Sequence, residues 1–292
     1  MPEMLSPDQI AFYGVQGYLI LENQVPLAVI EDLRAEVARF EAEAKGMTAS
    51  NDRLDLEDSH RPDAPRVRRI KRPDLISPVA QALMVSDHIL GPVRDLLGPN
   101  LRLHTTKLNM KSAGFGAPVE WHQDFAFYPH TNDDLLAVGV TLDDMGLENG
   151  PLQVFPGSHL GPIHDHHRDG VFAGAMLPGE VGLDPAQAVA LTGPVGAVTL
   201  HHARIVHGSA PNVSDRSRRI LFIEVAAADA FPVMGAMTEF GSLEGYNAKM
   251  LCGTPSLTPR LRDVPVRIPQ PQPTENRSIY EIQKTLGTSA FE

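Results

Sequence analysis

The chain of 292 residues holds a single cysteine, Cys252, so no internal disulfide framework exists and nothing points to an oxidising compartment. No apolar run approaches the roughly 18 residues of a membrane-spanning helix. The opening MPEMLSPDQIAF lacks a basic stretch leading into an apolar one, so no secretory signal is expected. Positive charge is scarce: 25 Lys and Arg stand against 36 Asp and Glu, a net charge of −11. That balance argues against nucleic acid or an anionic membrane as the main partner, because both attract clustered cations. One stretch runs the other way, residues 66–72 (RVRRIKR), and reads as a solvated basic loop or strand edge. What remains, 42% hydrophobic and 21% charged, is ordinary for a globular protein with a real core, and a cytoplasmic protein is expected. Oligomeric state is not legible.

Ser6-Pro7-Asp8-Gln9 has the residues of a helix start, with serine as N-cap, proline at the first helical position and glutamine three residues on; Gly17 ends that helix. A strand is expected over 18–21. From Val29 the apolar residues Ile30, Leu33, Val37 and Phe40 recur at helical spacing as far as Gly46. Residues 47–66 read as loop, and a further helix runs from Ser86 to Gly98. Beyond residue 100 the character changes to short β-like runs at 101–110, 135–142, 152–155, 197–201 and 220–225, separated by Gly/Pro turns. Many short strands with such turns predict a mainly β fold, closed or double-sheeted, with the earlier helices packed on its outer face. The tail over 255–273 is proline-rich and irregular.

The stretch with the most chemistry is Trp121-His122-Gln123-Asp124, taken with His207-Gly208-Ser209 and Arg218. Residues i and i+2 of a strand share a face, so His122 and Asp124 are expected to project together from one strand end. Two imidazoles and one carboxylate suit non-haem Fe(II), held on one face with the other positions open. His201 and His202 compete for the third-ligand role, and His164, His166 and His167 form a histidine-rich loop expected to be solvated. His207 is preferred because Gly208-Ser209 follows it and Arg218 lies 11 positions on. Arg218 opens an apolar strand, where a guanidinium is costly to bury without an anion. A bidentate pair with the far carboxylate of 2-oxoglutarate would meet that need, and Ser209 could add a hydroxyl.

The segments WHQD, ENGPLQVFPGSH and HGSAPNVSDRSRR together closely resemble the phytanoyl-CoA dioxygenase family of Fe(II)/2-oxoglutarate oxygenases. The resemblance extends to DQIAFYGVQGYLILEN and to the region from Arg69 through LLGPNLRLHTTKLNMK, covering roughly residues 5 to 230. It implies a double-stranded β-helix (jelly-roll) core with His122, Asp124 and His207 on iron, and Arg218 and Ser209 on the distal carboxylate of 2-oxoglutarate. It also implies Thr106 and Gln123 near the co-substrate or iron, and Arg69 reaching the site. At Val140 some relatives carry an aromatic residue beside the co-substrate, and this chain departs from them.

The implied organisation is one oxygenase domain over 1–292. Its parts are a helix-rich 1–100, the jelly-roll core at 101–230, and an extension at 231–292 that covers the active site. The implied reaction uses 2-oxoglutarate and O2, releases succinate and CO2, and hydroxylates or otherwise oxidises an unactivated C–H bond of a small molecule. Because Asp124 is present, hydroxylation is expected rather than halogenation. Phe125, Phe127 and Tyr128 follow the metal pair and are candidates for the substrate pocket; Arg260 and Arg262 could close over an anionic substrate. The alternatives are a non-catalytic jelly-roll binding protein and a cupin-like metalloenzyme that does not use 2-oxoglutarate.

Overall fold

A computed structural model describes residues 4–234, 241–273 and 279–291. Helix α1 (Pro7–Gln16) starts on the expected capping box between Ser6 and Gln9 and ends at Gly17, whose φ of 80° suits glycine. Strand β1 (Tyr18–Leu21) follows, then α2 (Leu27–Glu43), which buries Ile30, Leu33, Val37 and Phe40. The stretch read as loop contains a short strand, β2 (Leu54–Leu56). The basic stretch is neither loop nor edge. It forms β3 (Val67–Lys71), which lies between β2 and the next strand of the sheet, with Arg68 buried against Glu57 at 3.0 Å. Helices α3 (Pro73–Ile76), α4 (Pro78–Met84) and α5 (Asp87–Leu97) complete the helix-rich part.

The β-rich part comprises β4 (Leu101–Lys111), β5 (Val119–His122), β6 (Leu135–Thr141), β7 (Gln153–Val154), β8 (His167–Arg168), β9 (Val171–Phe172), β10 (Val189–Ala190), β11 (Val198–His202), β12 (His207–Ser209) and β13 (Arg218–Ala227). Helix α6 (Leu243–Asn247), strand β14 (Met250–Cys252) and helix α7 (Ile279–Gln283) follow. The larger sheet runs β1-β11-β6-β13-β4-β3-β2, with β14 also on β4; the smaller runs β10-β7-β12-β5. All the pairings are antiparallel, and the two sheets form a double-stranded β-helix.

Alternation along the larger sheet sorts its residues by face. Leu108, Met110, Val138, Val140, Val198, Leu200, Leu221, Ile223 and Val225 join the apolar residues of α2 and α5 in the main core. Each such buried aliphatic side chain contributes roughly 1.5–3 kcal/mol. The opposite face presents Lys107, Asn109, Ala137, His201, Arg218 and Phe222 to a cavity. Val140 therefore packs toward the helices, and the position the family comparison singled out is not a pocket wall.

One irregularity controls this sorting. Thr105 pairs with Glu224 but Leu103 pairs with Val225, so β4 carries one extra residue, His104, against β13. Such a bulge reverses which residues face inward on either side of it.

Candidate active site

Strands β5 and β12 pair with His207 opposite His122, which makes the two imidazoles cross-strand neighbours with ring centroids 4.1 Å apart. Asp124 is not on the strand. β5 ends at His122, and Asp124 opens a single 3-10 turn, Asp124–Ala126, that folds its carboxylate back toward the rings. Asp124 Oδ1 lies 3.7 Å from His122 Nε2 and 3.8 Å from His207 Nε2. One ligand atom from each of the three residues falls within 4.8 Å of the others, and all three side chains are buried.

Each histidine donates its Nδ1 hydrogen to a backbone carbonyl, His122 to Glu120 at 2.7 Å and His207 to Ile205 at 3.0 Å. Both Nε2 atoms are thereby left as lone-pair donors. Burial pushes His122 down to about 4 and His207 well below the usual histidine range, so both rings are neutral near pH 7. Burial opposes ionisation of Asp124, but the neighbouring His207 and Lys107 hold it well below the usual carboxylate range. Two neutral imidazoles and an ionised carboxylate fit Fe(II) with open coordination positions.

Gln123 points away from this centre. Its side-chain N–H groups donate to the carbonyls of Arg204, at 2.7 Å, and Pro162, and its side-chain oxygen accepts from the His164 N–H at 2.9 Å. Its backbone N–H donates to His166 Nε2 at 2.9 Å. The expected contact with co-substrate or iron is thus replaced by a structural one: Gln123 ties the metal-binding turn to the 162–166 loop. His166, expected in solvent, is 1% exposed and belongs to the same tie. His202 packs against Tyr13 and His159, whereas His201 lines the cavity with its Nε2 3.6 Å from Asp124 Oδ2.

At one end of the cavity stand Arg218 and Ser209, both buried. Arg218 donates from Nε to the Gly150 carbonyl at 3.0 Å and from Nη2 to the same oxygen, and among the described residues it makes no ion pair. Burial lowers it to about 10, so it stays cationic. Lys111, its cross-strand neighbour, donates to the carbonyls of Ser209 and Ala210. A buried cation held by carbonyl dipoles alone can take up an anion.

Further along the same strands, the half-buried Lys107 pairs with the buried Glu224 at 2.7 Å, and the Tyr128 phenol lies against the Glu224 and Asp124 carboxylates. Tyr128 also packs on His104 at 4.1 Å between ring centroids.

The remaining expected residues scatter. Thr106 faces the helices, where its hydroxyl accepts the Asp74 N–H at 3.2 Å and donates to the Asp74 carboxylate. Arg69 is ion-paired to Asp55 and does not line the cavity. Phe125 is a core residue, while Phe127 packs its edge on the His122 ring at 5.8 Å. Arg260 and Arg262 pair with Asp134, Arg260 also with Asp229, so neither is free for a substrate. The sequence reading missed Lys107, Asn109, Lys111, Glu224 and Ile279. Asn109 lines the cavity with a buried Oδ1 that has no hydrogen-bond partner among the described residues. Strand parity could have found Lys107 and Asn109, had the bulge been visible.

Residues 13–220 match the family model for phytanoyl-CoA dioxygenase (PhyH). The chain belongs to the phytanoyl-CoA dioxygenase family. It is 38% identical over 278 residues to a probable alpha-ketoglutarate-dependent hypophosphite dioxygenase of Stutzerimonas stutzeri, covering 94% of this chain and 96% of that protein. It is 36% identical over 168 residues to the L-proline trans-4-hydroxylase of Streptomyces griseoviridis, covering 50% and 63%. The crystal structure of EctD from S. alaskensis with bound Fe superimposes with a TM-score of 0.62 at 25% identity, covering 77% of each chain.

As a member of this family the chain is an Fe(II)- and 2-oxoglutarate-dependent dioxygenase. Bound iron supplies the coupling of 2-oxoglutarate decarboxylation to oxygen insertion. What the protein adds is a fixed tautomer at each histidine, an ionised Asp124 and a buried cation at the far end of the cavity. No helix among the described residues is long and apolar enough to cross a membrane.

Proposed function

We propose that His122, Asp124 and His207 hold the iron, that Arg218 and Ser209 take the distal carboxylate of 2-oxoglutarate, and that the oxidised substrate is a compact anion, hypophosphite being the first candidate. The observation that supports it most is the cavity of about 40 Å³ whose wall carries the Lys107 side chain, a cation suited to a compact anion. The likeness to the S. stutzeri protein spans nearly the whole of both chains, which favours its substrate over those of the more partially matched relatives. The reaction inserts one oxygen atom into a P–H bond: hypophosphite, 2-oxoglutarate and O2 give phosphite, succinate and CO2. Lys107 would hold the anion, and Glu224 would keep Lys107 in place.

A second reading rests on the Lys107–Glu224 pair itself. It offers both signs of charge, which suits a zwitterion such as a cyclic amino acid. Purified enzyme with Fe(II) and 2-oxoglutarate should release succinate in step with phosphite, read by 31P NMR, when given hypophosphite. Succinate release with L-proline or ectoine and none with hypophosphite would replace the first reading by the second.

A further inference from the structure

The family match stops at residue 220, yet residues 279–291 are built into the site. We propose that this C-terminal segment is a wall of the co-substrate pocket, latched by Glu120 and seated on Trp121; the proposal rests on the placement of 2-oxoglutarate at Arg218 and Ser209. The inference stands whatever substrate is oxidised, since it concerns only the 2-oxoglutarate end.

Ile279 lines the cavity beside Arg218, Ser209 and Val119. Tyr280 is 6% exposed, its phenol turned to the guanidinium charges of Arg69, Arg68 and Arg218, with Arg68 over its ring at 4.6 Å. Gln283 accepts the Glu120 N–H at 3.0 Å and donates to the Gly174 carbonyl at 3.0 Å. The buried Glu120 carboxylate takes two hydrogen bonds from the end of the segment, Ser289 Oγ at 2.6 Å and Ala290 N at 2.9 Å. Phe291 then stacks on Trp121, 5.2 Å between centroids and 20° between planes. It also approaches Gly208, where an added Cβ would come within 3.1 Å of the ring.

These fastenings fall on three residues that each adjoin or support a metal ligand. Trp121 precedes His122, Gly208 follows His207, and the Glu120 carbonyl receives the His122 Nδ1 hydrogen while lying 3.4 Å from Gln283 Nε2. The segment therefore bears on the imidazoles and on the Arg218 end together. Seated, it keeps water from the Arg218 guanidinium, and a carboxylate pair there gains strength from the lowered local dielectric. Lifted, it leaves the same pair in contact with solvent, where ion pairs are weak.

The chain's one tryptophan sits under the segment and reports its position. The test compares the full chain, a deletion of residues 279–292, and the double variant Ser289→Ala/Phe291→Ala, all loaded with Mn(II) in place of iron. Calorimetry measures 2-oxoglutarate affinity, and acrylamide quenching measures Trp121 exposure. Both altered proteins should bind 2-oxoglutarate at least tenfold more weakly with Trp121 more readily quenched, and 2-oxoglutarate should reduce quenching in the full chain. Tyr280→Phe should weaken 2-oxoglutarate several-fold without changing the quenching, which separates a pocket role from a fold-propping one. Unchanged 2-oxoglutarate affinity in the altered proteins overturns the proposal, as does equal Trp121 quenching in all of them. Where the deletion does not fold, the double variant supplies the same two readings.

Discussion

Thr106 and Asn109 lie three positions apart on β4 and point to opposite faces. Thr106 is 4% exposed and bonds Asp74 at the start of α3; Asn109 faces the cavity with an oxygen unpartnered among the described residues. Replacing Thr106 by valine should lower unfolding stability by roughly 1–3 kcal/mol through the polar partner it strands, and leave the KM for 2-oxoglutarate unchanged. Asn109→Ala should do the reverse, raising that KM several-fold at nearly constant stability. Denaturant titration and succinate kinetics on the two variants check this. The sequence misled at Thr106 for a definite reason. The family resemblance placed Thr106 near the co-substrate, but the extra residue at His104 sets Thr106 on the face shared with Leu108 and Met110, toward the helices. His122, Asp124, His207 and Arg218 were legible because their chemistry is written in residue types. Gln123 and His166 were not, because amides and buried rings that bond to backbone have no spacing signature.

Among the elements, the turn at Gly150 has the most direct hold on function. Gly150 sits at φ 72°, and a Cβ there would meet the Ala210 carbonyl at 2.4 Å. That geometry aims the Gly150 carbonyl at Arg218, and the carbonyl is the only partner the guanidinium has among the described residues. Gly150→Ala combines a left-handed backbone penalty of roughly 1–2 kcal/mol with a backbone clash. It should therefore move the carbonyl, release the Arg218 side chain and raise the KM for 2-oxoglutarate more than it lowers the turnover of saturated enzyme. Steady-state kinetics over a 2-oxoglutarate series would show the split; a change confined to turnover would contradict it. The turn itself was legible as Glu-Asn-Gly-Pro, but its aim was not. Direction depends on β12 and β13 lying beside it, and that is tertiary information.

For the molecule as a whole, buried neutral histidines set the acid limit. Burial lowers His130 to about 4 and His166 to about 3, against 6.5 for a free side chain. Protonating His166 would also break the bond its Nε2 accepts from the Gln123 N–H. The unfolded chain binds these protons below about pH 6.5 while the folded chain refuses them. Stability is therefore complete above pH 6.5 and falls as pH drops from there through 4 toward 3. Each histidine contributes about 1.4 kcal/mol per pH unit over that window. Urea midpoints at pH 7.5 and 5.0 should differ accordingly, and His166→Gln should reduce the difference. The general architecture was legible, the helices and strands from apolar spacing and turn residues and the jelly-roll from the family resemblance. An extension at 231–292 over the active site was expected, but not which of its residues reach the cavity, since Ile279 carries no motif that marks it.

The pairing of His207 with His122 has one more consequence. The two rings meet only because β5 and β12 are aligned residue for residue at that point, and a slip of a single position would turn one ring to the opposite face. A misaligned sheet would thus be unable to chelate, while an aligned one gains the free energy of a bound ion. Iron bound by His122, Asp124 and His207 would thus favour those molecules whose smaller sheet has closed in register.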